Sequence, residues 1–279
     1  MINVVIGLGK NKEVLSAVEK GSENKNLNIK IAKNNEELLK AVEDRNIHAV
    51  IRGSLESSII KDLKKLNNFE RFQNGTPDSL SKYFKSINRV SYIKKDEKEF
   101  LLGPVGIDEG ETVEEKLEIA IQSFEFIKKC AKVPKIAILA GGRKEDFGRN
   151  QKIDKTLEDS EKLTASLRKK IEKISFENYS NSNLNENKSF NNEYSIKNYY
   201  ILIEKAVNEG NNIIIAPDGI SGNLIFRTLV LLNSYNSYGA VALGFNKVFI
   251  DTSRDQSKEG YLRALKLAYK LAKTQKVIS

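Results

Sequence analysis

Histidine and cysteine are nearly absent: the chain of 279 residues has one of each, His48 and Cys130, and it has no tryptophan. With one histidine, itself expected to be structural, His-based triads, dyads and His metal sites are not expected, and a single cysteine excludes an internal disulfide and any cysteine-cluster metal site. No metal is therefore expected, and no cofactor can be named. No apolar run approaches the roughly 20 residues of a membrane span, and the amino terminus lacks the basic, apolar and small-residue pattern of a signal peptide. These absences predict a cytoplasmic protein with no membrane partner. Cys130 follows Phe126 and Ile127 on a stretch with helical spacing, so a packed core thiol is expected. His48 opens the apolar run Ala49-Val50-Ile51, where a structural role is expected.

Charge, by contrast, is plentiful. There are 46 Lys and Arg against 37 Asp and Glu, a net +9. The lysines are interleaved with acids along the whole chain, with no basic stripe carrying aromatics, so nucleic acid is not an expected partner. The length is near that at which one core stops growing, which allows one large α/β domain or two smaller ones.

Strand and helix signals alternate from the start. Ile2 to Ile6 reads as a short apolar strand, followed by Gly7-Leu8-Gly9-Lys10 and a helix from Lys12 to Glu19. The dinucleotide fingerprint fails because Lys12 stands where its third glycine belongs, and no Walker lysine motif is present. A strand at Ile29 to Ala32, a helix at Asn35 to Asp44, a strand around Val50 and a helix at Ser57 to Leu66 continue the rhythm. That alternation implies a parallel sheet covered on both faces. Asn67 to Lys85, with Gly75-Thr76-Pro77-Asp78, breaks it and suggests a hinge or boundary.

From Asn88 the pattern turns partly antiparallel, with strands at Arg89 to Ile93 and Glu99 to Gly103 joined by a charged turn. Thr112-Val113-Glu114-Glu115 is a capping box opening a helix to Lys129. A charged amphipathic helix is expected over Thr156 to Ile174. Glu177 to Asn198, rich in Asn, Ser, Glu and Tyr, reads as a mobile insertion without chemistry of its own, with order returning at Tyr199 in a helix ended by Gly210. Strands at Tyr238 to Gly244 and Lys247 to Ile250 and a helix from Ser257 to Lys273 close the chain.

Three strand-to-helix turns carry the residues that suit an anionic ligand. The strand Lys135 to Ala140 delivers Gly141-Gly142-Arg143-Lys144, where two glycines offer successive N–H groups beside a bidentate guanidinium. The run Ile213 to Ala216 delivers Pro217-Asp218-Gly219, then Ser221-Gly222-Asn223 at a helix start with Arg227 one turn in. The third turn is Asp251-Thr252-Ser253-Arg254. Together they predict an anion-binding cleft for a small anionic substrate, since ligands in open α/β sheets bind beyond the carboxyl ends of strands.

The order of these turns resembles the phosphate acetyltransferase and butyryltransferase group. The resemblance rests on Lys135-x-Ala137-x-Leu139, Pro217-Asp218, Gly222-Asn223, Phe226-Arg227, Gly239, Gly244, Asp251-x-Ser253-Arg254 and the helix Glu115 to Phe124, and it covers residues 88 to 255 outside the Asn-rich tract. A closer likeness is to the MtxX-type methanogen marker proteins, described as methyltransferase-related. It is carried by Gly141 to Arg143, Glu145-Asp146, Gly148-Arg149, the run Ala216 to Leu229 and Asp251 to Arg254. The resemblance implies a two-domain fold like that of isocitrate and isopropylmalate dehydrogenases and the phosphate acyltransferases, with a cleft between domains. The outer domain would hold residues 1–86 and 251–279, and the middle domain 87–250 with the insertion 177–198. It also implies a homodimer formed through the middle domain. Ser253 and Arg254 would take the catalytic roles, and Gly141, Gly142, Arg143, Asp218, Gly222, Asn223 and Arg227 would bind the substrate anion.

One departure matters. Where the acetyltransferases carry an aspartate as general base, this chain has Gly260, with Asp255 and Glu259 as the nearest acids. Loss of a general base typically removes 10²- to 10⁴-fold of rate. Three functions follow: a methyltransferase-related protein acting with a methyltransferase or corrinoid partner, an acyltransferase acting on an acyl phosphate or CoA-like substrate, or a binding protein without catalysis.

Overall fold

The computed structural model describes residues 1–70, 86–181, 193–244 and 247–278. The break in rhythm at Gly75 to Asp78 and half of the Asn-rich tract, residues 182–192, lie outside those residues. The chain forms two compact units, one of Met1–Gly75, Ser86–Lys95 and Asn233–Ser279, the other of Thr76–Lys85 and Asp96–Leu232.

In the first unit β1 (Ile2–Gly7), β2 (Leu27–Ala32), β3 (Ala49–Ile51), β4 (Asn88–Lys95), β9 (Asn236–Leu243) and β10 (Val248–Asp251) form a sheet in the order β2-β1-β3-β10-β9-β4. The first four of that order are parallel and β9 is antiparallel to both its neighbours. The inner parallel strands β1, β3 and β10 are rich in β-branched residues and buried along nearly their whole length, with Val4, Ile6, Ala49, Val50, Ile51, Phe249 and Ile250 fully enclosed, whereas the edge strand β2 is buried only at Leu27 and Ala32. That is the pattern of strands covered on both faces. The unit's helices are α1 (Glu13–Gly21), α2 (Asn35–Glu43), α3 (Ile59–Glu70) and α8 (Lys258–Ile278). Asn34 caps α2 by accepting from Glu37 N at 2.9 Å, and Glu37 returns a carboxylate to Lys33 N at 2.7 Å.

The second unit is a four-stranded parallel sheet, β5 (Lys98–Gly103), β8 (Ile213–Ile215), β6 (Lys135–Leu139) and β7 (Ser195–Tyr200), in that spatial order. Its helices are α4 (Val113–Lys129), α5 (Gln151–Asn181), α6 (Ile203–Asn208) and α7 (Gly219–Arg227), the last continued by a π turn at Thr228–Leu232. The Thr112 hydroxyl accepts from Glu115 N at 3.2 Å and the Glu115 carboxylate accepts from Thr112 N at 3.3 Å, completing the capping box of α4.

Two expectations are corrected, the extent of the insertion and the burial of Cys130. Ser195 to Tyr200, read as insertion up to Asn198, is the edge strand β7, with Ile196 and Tyr199 buried against the sheet. Strand β5 pairs in parallel with β8. Cys130 is half-buried at the C-cap of α4 rather than in the core. His48 is structural as expected: its Nδ1 accepts from Asn3 N at 3.0 Å.

Candidate functional site

All four strands of the second unit point the same way, so the segments after β5, β8, β6 and β7 leave one edge of the sheet. The chain runs from β6 outward to β7 and then returns to β8 on the other side of β6. That reversal is a topological switch point, and the crevice it makes is flanked by the turns following β6 and β8. Those turns are Gly141-Gly142-Arg143 and Pro217-Asp218-Gly219. The register Ile138↔Ile215 sets them on neighbouring strands, about 5 Å apart in the pairing direction.

The first turn is stitched from within. Gly141 N donates to Thr156 Oγ1 at 2.9 Å, Gly142 O accepts from Ile201 N at 3.2 Å, and Arg143 N donates to Asp146 Oδ2 at 2.8 Å. Asp146 also accepts from Arg149 Nη1 at 2.6 Å, and these two bonds hold its carboxyl below the ordinary aspartate value. Two of the turn's amides are thus already spent. The Arg143 side chain is exposed and forms no ion pair among the described residues. Beside it, Tyr200 adopts φ 57° at the end of β7, and its hydroxyl donates to Glu161 Oε1 at 2.5 Å. That bond, with burial, pushes the phenol up to about 12.

In the second turn Asp218 is the N-cap of α7, accepting from Ser221 N at 2.7 Å. Gly219 and Gly222 are required by close approach: a Cβ would stand 1.7 Å from Gly106 O and 1.9 Å from Pro104 O respectively. Asn223 Nδ2 donates to Val105 O at 3.0 Å. Gly222 and Asn223 therefore seat α7 on the segment after β5. Arg227 is not one turn in but the last residue of α7, about 13 Å of helix rise beyond Asp218. Sequence reasoning missed Lys116 in the first turn of α4, which is buried and donates to Pro217 O at 2.8 Å.

In the first unit the ends of β1, β3 and β10 converge. Asp251 is clasped by two guanidiniums, Arg52 through Nε and Arg89 through Nη1 at 3.0 Å. Arg52 also donates to Leu55 O at 2.8 Å and to Thr252 O. The carbonyls of Ser253 and Arg254 accept from Tyr261 OH at 3.0 and 2.8 Å, and Asn11 Nδ2 donates to Arg254 O at 3.0 Å. The backbone of the Ser253–Arg254 turn is thereby fixed while both residues stay exposed; Arg254 Nη1 pairs with Glu56 at 2.5 Å. Such surface pairs are weak, on the order of 0–1 kcal/mol, and yield easily to a ligand.

The loop Gly7 to Lys10 is explained by packing: Gly9 N donates to Ser54 Oγ at 2.8 Å, Leu8 N to Ala32 O at 2.8 Å, and Gly7 O accepts from Ser54 N at 3.1 Å. At Gly260, a Cβ would lie 2.2 Å from Gln256 Cγ, so the Gln256 side chain fills that space. Glu259 is exposed, and its carboxyl is lowered by hydrogen bonds from its own amide and from Ser257. That shift is opposite to the one a general base at neutral pH needs. Among the described residues no group of three or more His, Cys, Asp and Glu could hold a metal, and no helix is long and apolar enough to cross a membrane.

No family model matches the chain. Its fold is that of the phosphotransacylases. A branched-chain phosphotransacylase from Enterococcus faecalis matches 98% of this chain and 99% of its own with TM-score 0.65 at 17% identity. A phosphotransacetylase from Staphylococcus aureus matches 98% and 94% with TM-score 0.61 at 14% identity. Sequence relatives are nearer. An "Uncharacterized methyltransferase" of Methanocaldococcus jannaschii is 34% identical over 276 residues, 95% of this chain and 96% of the relative. The "Putative methyltransferase mtx subunit X" of Methanosarcina mazei is 37% identical over 213 residues, and the match spans 75% of this chain but 62% of that longer relative. The chain belongs to this family of methanogen proteins, the MtxX family.

Proposed function

We propose that the protein is a transferase-related protein of the MtxX kind that holds a small anionic substrate, bearing a phosphate or a carboxylate, at the carboxyl ends of β6 and β8. The observation that carries this reading is the reversal of chain direction about β6, which makes neighbours of the Gly141-Gly142-Arg143 and Pro217-Asp218-Gly219 turns. Arg143 supplies the exposed guanidinium there; within the first unit, Ser253 and Arg254 offer an exposed hydroxyl and cation. Isothermal titration with phosphate, acyl phosphates and coenzyme A tests it. Heat with any one of them supports the reading, and none with all three sinks it. Arg143→Ala and Arg254→Ala, each titrated separately, ask which of the two turns the ligand needs.

A second reading is a methyltransferase subunit that works with a methyltransferase or corrinoid protein. It is favoured by the name of the Methanosarcina mazei relative, a putative methyltransferase subunit. Purification from a native methanogen without any such protein co-eluting would count against it. A role in binding rather than catalysis is favoured by Gln256 filling the space over Gly260. Assembly as a homodimer is favoured by the exposed Ile220, Leu224, Leu231 and Leu232 on α7 and its π turn. Sedimentation of the wild type and of Leu224→Lys tests that part, a monomeric wild type being the adverse result.

A further inference from the structure

Lys116 is the fourth residue of α4, where a cation opposes the helix dipole, and its side chain is only 6% exposed. Burying an ammonium is costly unless its three N–H donors are met. Nζ donates to Pro217 O at 2.8 Å. Asp159 Oδ2 stands at 3.6 Å, within ion-pair reach but beyond a good hydrogen bond. Among the described residues the ammonium has no other partner, so at least one N–H remains unspent in a place shielded from water. Three connections meet there: α4 follows β5, Pro217 follows β8, and Asp159 lies on α5, which follows β6. The unspent donor therefore stands at the carboxyl edge of the sheet, beside the reversal about β6.

We propose that Lys116 contacts the ligand directly, donating its free N–H to an anionic oxygen, phosphoryl or carboxylate, of the molecule held at the ends of β6 and β8. This rests on the anion-binding reading and adds to it a buried cation from a third connection. Asp159 then competes with the ligand for Lys116, and its charge tempers the site in the empty state. A merely structural lysine would instead serve only as a strut beneath the Pro217–Asp218 turn.

The two roles separate in a titration of the full chain with inorganic phosphate, acetyl phosphate and acetate. Lys116→Met is expected to weaken whichever probe binds by about 10-fold or more, the value of a hydrogen bond to a charged group. Asp159→Asn is expected to act in the opposite direction, tightening binding by about 3-fold or more because it removes a negative charge beside the anion. A strut predicts that Asp159→Asn lowers the melting temperature and leaves affinity unchanged or reduced, and that result overturns the proposal. Should Lys116→Met fail to fold, Asp159→Asn decides alone. If the wild type binds phosphate or acetate and Lys116→Met binds it equally tightly, this inference falls and the anion-binding reading survives. If the wild type binds none of the three, this inference falls, and the anion-binding reading falls with it if coenzyme A gives no heat either.

Discussion

Replacing Asp251 with alanine tests whether the Arg52–Asp251–Arg89 cluster holds the ends of β3 and β10 together. The side chains of Arg52 and Asp251 are 8% and 11% exposed, and that of Arg89 is 18% exposed. Removing one member of a buried ion pair costs about 3–5 kcal/mol, because the partner charge is left uncompensated. Both guanidiniums lose their carboxylate here, but Arg52 keeps its two carbonyl acceptors and Arg89 some access to water, so the lower end of that range, about 3 kcal/mol, applies. For a domain of 150–250 residues each kcal/mol lowers the melting temperature by about 2–4 °C, giving a fall of about 6–12 °C. Thermal unfolding followed by circular dichroism measures the total. Hydrogen exchange assigns it: protection should fall at Phe249 to Gln256 and at Val50 to Leu55 and remain unchanged in β6 and β8. Asp251→Asn, which keeps the shape and removes the charge, should cost less. A loss under about 1 kcal/mol for the alanine variant, or a loss of protection confined to β6 and β8, would refute the assignment.

Gly222→Ala should destabilise the second unit severely, by about 2 kcal/mol or more, since its Cβ would stand 1.9 Å from Pro104 O; urea unfolding checks this. Thr112→Ala removes the α4 cap and should cost about 1 kcal/mol in the same assay. The Asp146 carboxyl is depressed in the folded state, so what it contributes is complete above the ordinary aspartate value and is lost as pH falls below it, through the lowered value. The Arg143 amide resonance should accordingly hold its shift down to that range and move only below it; movement near pH 5 would contradict the bond. Tyr261→Phe removes the donor to Ser253 O and Arg254 O and should cost about 1–2 kcal/mol and raise exchange at Asp255 and Gln256.

What was legible in the sequence is what is local. The Thr112 box and the Asp218 cap lie within three residues of their partners, and the strand-end turns announce themselves by glycine beside β-branched runs. Pairings over long stretches of chain leave no such trace. Arg52 meets Asp251 across 199 residues and Lys116 meets Pro217 across 101. An arginine before a glycine, or a lysine in a charged helix, looks like any solvated residue until the fold buries it. Strand β7 was hidden twice, by an Asn- and Ser-rich neighbourhood and by a register shift. Asn198 pairs with Ile138 but Tyr200 pairs with Leu139, so Tyr199 is the extra residue and its burial falls three positions after Ile196 instead of two. The expected alternation is thereby broken.

The strand-end turns of the second unit suggest anion binding by backbone amides, yet their geometry argues for side chains. Asp146 already accepts from Arg143 N, and Asp218 already accepts from Ser221 N. Each carboxylate takes the favourable position at its own turn and brings a negative charge that a phosphate or carboxylate ligand would have to approach. An anion seated at the ends of β6 and β8 must therefore draw its stabilisation from cations that outweigh those two acids. Arg143 is one, exposed and without an ion pair among the described residues; Lys116 is the other, buried and short of acceptors among them. The field of the site then depends on the balance of two cations against Asp146, Asp159 and Asp218. Affinity should consequently be modest and fall steeply with ionic strength at the exposed Arg143 contact, less so at Lys116, where screening by salt is weaker.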